Sequence, residues 1–392
     1  MPRLLNTYLI NQVLAPFYAS LIILTSILFL SRLIPILDII LGYNIGLVDF
    51  FRLYAYFTPQ LMLFALPMSG MMGVILGTTA LNNENELMVL KTSGISLYRM
   101  LPPIILVALS AAVLTGLFSI YLLPAGKKAK VEIAFQLVKE KIERSIPEKR
   151  FSESLGDIVL YADSIDQKTR AWKGVYISDM KDPRHPITII SESGIISADS
   201  TRGTLSISLQ NGVLNRTSAD AVQTINFKGY DMNLPLETPT SNPLAKVDET
   251  TMLQSELLEE ADRKGRNSRE AATYLIEFHK RLALPVSCFI LTLLGFPLGF
   301  LSGPRHKTIG IPLGLAIFVL YYVLFTGSKI ISESMLLPAG IAIWLPNLLF
   351  LILTMLFIKS VAREGHTLYL EKFHDFTYAI YSRLPWRKRG KL

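Results

Sequence analysis

The chain has 392 residues, 51% of them hydrophobic, with a mean hydropathy of +0.39 and a formal charge of +8 at pH 7. Its apolar residues arrive in long blocks rather than at amphipathic spacing, which excludes an ordinary soluble protein and indicates a polytopic membrane protein. The charge does not indicate nucleic acid, because eight Lys and Arg follow the last apolar block as a basic tail that topology and anionic lipid explain, and the single cysteine, Cys288, excludes an intrachain disulfide or a CxxC metal site.

Residues 1–12 (MPRLLNTYLINQ) carry leucines and tyrosine at roughly helical spacing and predict a short interfacial helix. From Val13 to Leu41 the chain is almost wholly apolar for longer than a bilayer requires, and no small-residue cleavage site follows, so this is a retained transmembrane helix. It contains Arg32, six positions before Asp38. A second block, about Tyr54 to Ala80, is interrupted by Pro59 and Pro67, and its Gly70, Gly73 and Gly77 allow close helix contact. The connecting loop then places Glu84 and Glu86 ahead of Leu87, Met88, Val89 and Leu90. This pattern predicts a short helix capped by Asn82 or Asn83, with acids in its first turn and Gly94 at its end. The third block runs from about Leu101 to Leu123.

From Lys127 to about Ala272 the hydropathy collapses and short strand-like runs appear. Leu205, Ile207 and Leu209 alternate strictly before Asn211-Gly212, a pair that accepts the positive φ angles of a tight hairpin turn. Several such strands predict an antiparallel β sandwich or jelly roll, followed by a helix from Thr250 to Arg263. Three more apolar blocks complete the chain, about Leu282 to Leu301, Ile309 to Thr326 and Ile341 to Ile358. The expected fold is thus a polytopic α-helical membrane protein of six spans, three on each side of an inserted antiparallel β jelly-roll domain. Its divisions fall at 1–126, 127–272, 273–360 and a basic tail, 361–392. With both termini in the cytoplasm, the short cytoplasmic segments collect thirteen Lys and Arg against two, Arg52 and Lys329, on the other side. Lys127, Lys128, Lys130, Lys280 and Arg281 oppose this trend but flank a long translocated domain, which is largely exempt.

Arg32 then lies nineteen residues into the first span, roughly 28 Å at 1.5 Å per residue, near the outer headgroup boundary and level with Lys280 and Arg281. Two readings stand. One is cationic side chains snorkelling at helix ends; the other is a cationic ring that holds an anionic headgroup, for which the bidentate fork of Arg suits phosphate. Glu277 and Arg281 in EFHKR are one helical turn apart, which an i,i+4 ion pair explains more simply than a proton relay. The acidic and apolar loop helix needs a soluble partner subunit, or else lies on the membrane surface as a connector. GxxxxGK[ST], HExxH and GxSxG are absent and the five histidines are dispersed, so neither a catalytic nor a metal site is expected. The alternatives to a transporter driven by a separate ATPase are a membrane-anchored scaffold or sensor and an ion-coupled secondary transporter, the latter requiring acids in mid-helix.

The loop NENELMVLKTSGIS at 83–96 resembles the acidic-apolar-SG segment of the lipopolysaccharide export permeases, the LptF/LptG family. RLALPVSCFILTLLGFPLG at 281–299, YYVLF at 321–325 and WLPNLLFLIL at 344–353 support the resemblance, as does the overall layout. SRLIPIL at 31–37 is more similar to the LptF side. The resemblance implies an inner-membrane permease that pairs with a paralogue, two copies of a cytoplasmic ATPase and a single-span periplasmic jelly-roll protein. Such a permease extracts lipopolysaccharide from the outer leaflet and passes it to a periplasmic bridge. It further implies that Glu84, Glu86 and Leu87, with Met88 and Leu90, couple to the ATPase, that ATP and Mg are bound there and not by this chain, and that Arg32 faces lipid A phosphates. A single Arg in the first span, rather than a cluster of basic residues, departs from the family's pattern.

Overall fold

A computed structural model describes residues 2–43, 47–133, 149–151, 158–166, 171–180, 187–199, 204–218, 221–234, 249–266, 268–300 and 310–362. The expected tail at 361–392 lies, but for 361–362, outside them, as do Arg305 and Lys307, two of the thirteen Lys and Arg counted in the short cytoplasmic segments. The helices are α1 (Pro2–Tyr43), α2 (Leu47–Asn83), α3 (Glu86–Thr92), α4 (Leu97–Ile133, with a π turn at Phe118–Leu122), α5 (Gln254–Arg263), α6 (Arg269–Gly299), α7 (Gly310–Glu333), α8 (Ala339–Ala342) and α9 (Leu345–Ala362). Six segments among them are long and apolar enough to cross a membrane: α1, α2, α4, α6, α7 and the α8–α9 segment. The chain divides into two compact units, one of Met1–Arg32, Pro59–Leu123 and Met252–Leu392, the other of Leu33–Thr58 and Pro124–Thr251.

In the first unit, α2 and α6 form the centre. Each is interrupted in sequence by prolines, yet each window is 78% buried, because small residues let the two backbones approach. A Cβ on Gly295 would lie 2.6 Å from the Met71 carbonyl oxygen, and one on Gly70 would lie 2.3 Å from Thr292 Oγ1. Met71, Ile75, Leu291, Leu294 and Leu298 then pack with Tyr321, Phe325 and Phe350 of α7 and α9. Cys288 is buried in this packing, as expected of a small apolar residue.

The predicted interfacial helix is not separate from the first span; both are α1, a single helix of 42 residues. No cap or glycine intervenes between Gln12 and Val13, and Leu9, Val13 and Phe17 recur every fourth residue to make one buried stripe. That stripe lies on Gly77 and Gly73 of α2. Above Phe17 the helix keeps few contacts, and Tyr18, Ile22, Ile23, Ile27 and Leu30 are exposed.

The second unit carries the inserted β domain. Strands β1 (Ile158–Ile165), β2 (Trp172–Asp179), β3 (Ile187–Asp199), β4 (Thr204–Ser218) and β5 (Ala221–Leu234) form one antiparallel sheet in the order β1-β2-β3-β4-β5. Among the described residues the domain is therefore a meander of neighbouring strands, and the crossover connection of a jelly roll is not among them. The predicted hairpin at Asn211-Gly212 is absent, since β4 runs straight through it. A two-residue I′ turn needs positive φ at both central residues, whereas here only Asn211 has it, at 51°.

Instead, Asn211 belongs to a crease. The pairing between every two neighbouring strands skips one row, which contains Asp163, Gly174, Glu192, Asn211 and Lys228, while the register on both sides of the row is unchanged. All five residues are exposed, and Asn211 Nδ2 donates to Glu192 Oε2 at 3.1 Å. The inward phase changes at this row: buried positions are 175 and 177 on one side of it but 172 on the other, 189 and 191 but 194 and 196, and 207 and 209 but 214. Both halves feed a single core that includes Leu160, Trp172, Val175, Ile189, Ile196, Ile207, Leu209 and Leu214. Gly174 has φ +58°, and a Cβ there would lie 2.9 Å from Asp163 Cβ. Gly174→Ala is accordingly expected to cost about 1–2 kcal/mol, seen as faster proteolysis of the β segment in the full-length protein.

Candidate coupling and headgroup sites

The loop helix α3 forms as predicted and Gly94 ends it, but its N-cap differs. Helix α2 continues through Asn83, Asn82 Nδ2 reaches the Phe300 carbonyl at 3.5 Å, and Asn85 takes the cap position in the left-handed region at φ 58°. Asn is among the few residues other than Gly that adopt this conformation readily. At the other end Gly94, at φ +79°, donates to Lys91 O and Ile95 N–H to Leu90 O, both at 3.0 Å, a complete Schellman closure. Lys91 Nζ also stands 5.7 Å over the Phe300 ring.

The faces of α3 divide the predicted coupling residues. Leu87 is 2% exposed and packs inward with Leu9, Leu97 and Met100, so it anchors the helix and is not a surface contact. Leu90 is half-buried at the edge of the same cluster. Met88 and Val89 are 67% and 62% exposed, and Glu84 is exposed in the turn before them. Glu86 is partly covered, and its Oε2 accepts a hydrogen bond from the Tyr8 hydroxyl of α1 at 2.7 Å. The sequence reading missed Tyr8: its partner is 78 residues away, and no local pattern links the two.

The three expected headgroup cations are not assembled as one exposed site. Arg32 is exposed on α1, as that reading requires. Arg281 is wholly buried: its Nε donates to Glu277 Oε1 at 3.2 Å and its Nη1 to the Met252 carbonyl at 2.7 Å. Lys280, with a side chain 26% exposed, donates to the other Glu277 oxygen at 2.8 Å. The i,i+4 pair expected at 277–281 is therefore present, and it occupies the guanidinium that the headgroup reading needed at the surface. Its effect is structural. It ties α6 to the chain entering α5, where Gln254 Nε2 also donates to the Phe278 carbonyl at 3.1 Å.

A second buried polar contact joins α6, α7 and α9. The Tyr321 hydroxyl donates to Asn347 Oδ1 at 2.7 Å, and Asn347 Nδ2 donates to the Ala283 carbonyl at 2.9 Å. An asparagine inside the apolar WLPNLLF run was the signal for it, because a buried amide in an apolar setting must find partners.

Six membrane-capable helices, a β domain inserted after the third, and a short helix with an exposed apolar face between the second and third define a multi-pass helical membrane protein with an inserted β domain. Residues 7–360 match the family described as lipopolysaccharide export system permease LptF/LptG, and the chain belongs to that family. It is 20% identical over 351 residues to the lipopolysaccharide export system permease protein LptF of Escherichia coli strain K12, covering 88% of this chain and 92% of that one. The LptF of Shigella flexneri shows the same identity and coverage. An uncharacterized protein of Rickettsia prowazekii, RP871, is 25% identical over 197 residues, 50% of this chain and 53% of the relative, so the match spans about half of that protein. Membership makes the chain a non-catalytic transport subunit and a multi-pass inner-membrane protein.

Proposed function

We propose that the chain is one half of a heterodimeric ABC permease that lifts lipopolysaccharide out of the outer leaflet of the inner membrane and hands it to a periplasmic β-jelly-roll bridge. Both termini lie in the cytoplasm and the β domain in the periplasm, in keeping with the loop charges. A cytoplasmic ATPase dimer, holding the ATP and Mg, docks on Glu84, Met88 and Val89 at the end of α2 and on α3. A paralogous permease and a single-span periplasmic jelly-roll protein complete the assembly.

The observation that carries this reading is α1. Its lower third is packed on α2, while residues 18 to 32 present apolar side chains with few contacts inside the chain and end on the exposed Arg32. A transmembrane helix left so uncovered suits a wall that a second permease half and a lipid complete, with Arg32 at phosphate height. The chain alone is expected to show no ATPase activity, and the assembled complex to show lipid-stimulated turnover. Arg32→Ala should weaken that stimulation while insertion and assembly persist; failure of insertion would instead make Arg32 an anchor. Hydrolysis by the isolated chain, or an ATPase still bound after Met88→Asp with Val89→Asp, would overturn the reading.

A further inference from the structure

The two carboxylates of the loop do not have the same surroundings. Glu84 is exposed in the turn after α2. Glu86 opens α3, and its Oε2 accepts the Tyr8 hydroxyl at 2.7 Å, the length of a strong bond to a charged acceptor. One residue along each helix, Leu9 and Leu87, both 2% exposed, belong to one apolar cluster. One turn further up α1, Val13 lies against Gly77, where a Cβ would be 2.8 Å from the Gln12 carbonyl oxygen. The start of α1 is thus joined to α3 by a polar contact and an apolar one, and to α2 by close backbone approach.

We propose that Tyr8 is a positioning residue that binds α3 to α1 through Glu86, so that a displacement applied to the exposed face of α3 moves the start of α1 with it. Glu86 works inside the chain, and Glu84 with Met88 and Val89 is left to face the partner. This division rests on the reading of α3 as the ATPase dock and α1 as the gate wall. It departs from a uniform docking role for both acids.

Tyr8→Phe removes the hydroxyl and keeps the ring. In the complete complex, lipid-stimulated ATPase turnover is expected to fall roughly three- to tenfold, the net worth of one ordinary hydrogen bond, as befits a contact that solvent reaches, with the KM for ATP unchanged and the ATPase still co-purifying. Glu86→Gln should give a similar loss, and the double variant should be no worse than either single. Unchanged turnover in Tyr8→Phe overturns the tether. So do additive losses, which would mean that Glu86 acts on another partner. A separate measurement needs no ATPase: Tyr8→Cys with Glu86→Cys should be joined by a short thiol crosslinker in membranes, with Cys288 buried and out of reach. Crosslinking without any ATPase-dependent effect leaves the contact intact but overturns its role in coupling. Absence of an ATPase from the wild-type complex overturns the function proposed above, whatever the crosslink shows.

Discussion

Glu277→Gln is expected to be among the most damaging single changes in the helical unit. The variant keeps the shape of the side chain but removes the charge that balances Arg281, which is 0% exposed, and Lys280 beside it. Breaking one partner of a buried ion pair costs about 3–5 kcal/mol, because the remaining charge stays where water cannot reach it. A lower thermal midpoint of the purified protein in detergent is the readout. Glu277→Gln with Arg281→Met should recover much of the loss, since removing both charges removes the imbalance. Lys280→Ala should be mild, as a partly exposed pair contributes about 0–1 kcal/mol. The same variants separate two roles for Arg281. A stability loss that the double change repairs marks a structural latch between α6 and the Met252 carbonyl, whereas loss of lipid stimulation at unchanged stability would restore it as a headgroup ligand.

Gly73→Ala addresses the other rigid joint. The added Cβ would lie 2.7 Å from Phe17 Cβ and 2.8 Å from Phe17 Cα. Side-chain adjustment cannot relieve contact with backbone atoms, so α1 must shift away from α2. The overpacking is expected to cost about 1–3 kcal/mol, and Gly73→Leu to detach the lower part of α1 and abolish assembly of the complex. Gly327→Ala in α7 is the control: nothing lies within 4 Å of its Cβ position. There the change should be neutral or slightly stabilising, by up to about 1 kcal/mol of helix propensity.

Features carried by local periodicity could be read from the residues alone. Apolar blocks of 18 residues or more became the spans, the polar stretch after the third became an antiparallel β domain, and EFHKR became an i,i+4 pair. What escaped depended on contacts distant in sequence or on conformations that share one signal. A positive φ at Asn211 marks both a hairpin turn and a change of phase within a strand, and only the neighbouring strands decide between them. Leu87 and Met88 are both apolar residues of a short helix, and the position of α1 and α4 determines which one faces inward. Arg281 was expected at the start of the fourth span, whereas α6 already begins at Arg269, and the guanidinium is held inside the protein by Glu277 and the Met252 carbonyl. Tyr8 and Glu86 give no sign of each other in sequence at all.

The skipped row in the sheet has a geometric consequence. Because the register is the same on both sides of Asp163, Gly174, Glu192, Asn211 and Lys228, the strands switch their inward phase along one shared line. No strand has to slide past its neighbour, and the ladders above and below keep their partners. The domain is thus built like a folded plate with a single seam. Its two leaves close on one apolar core while the pairing of every strand is conserved.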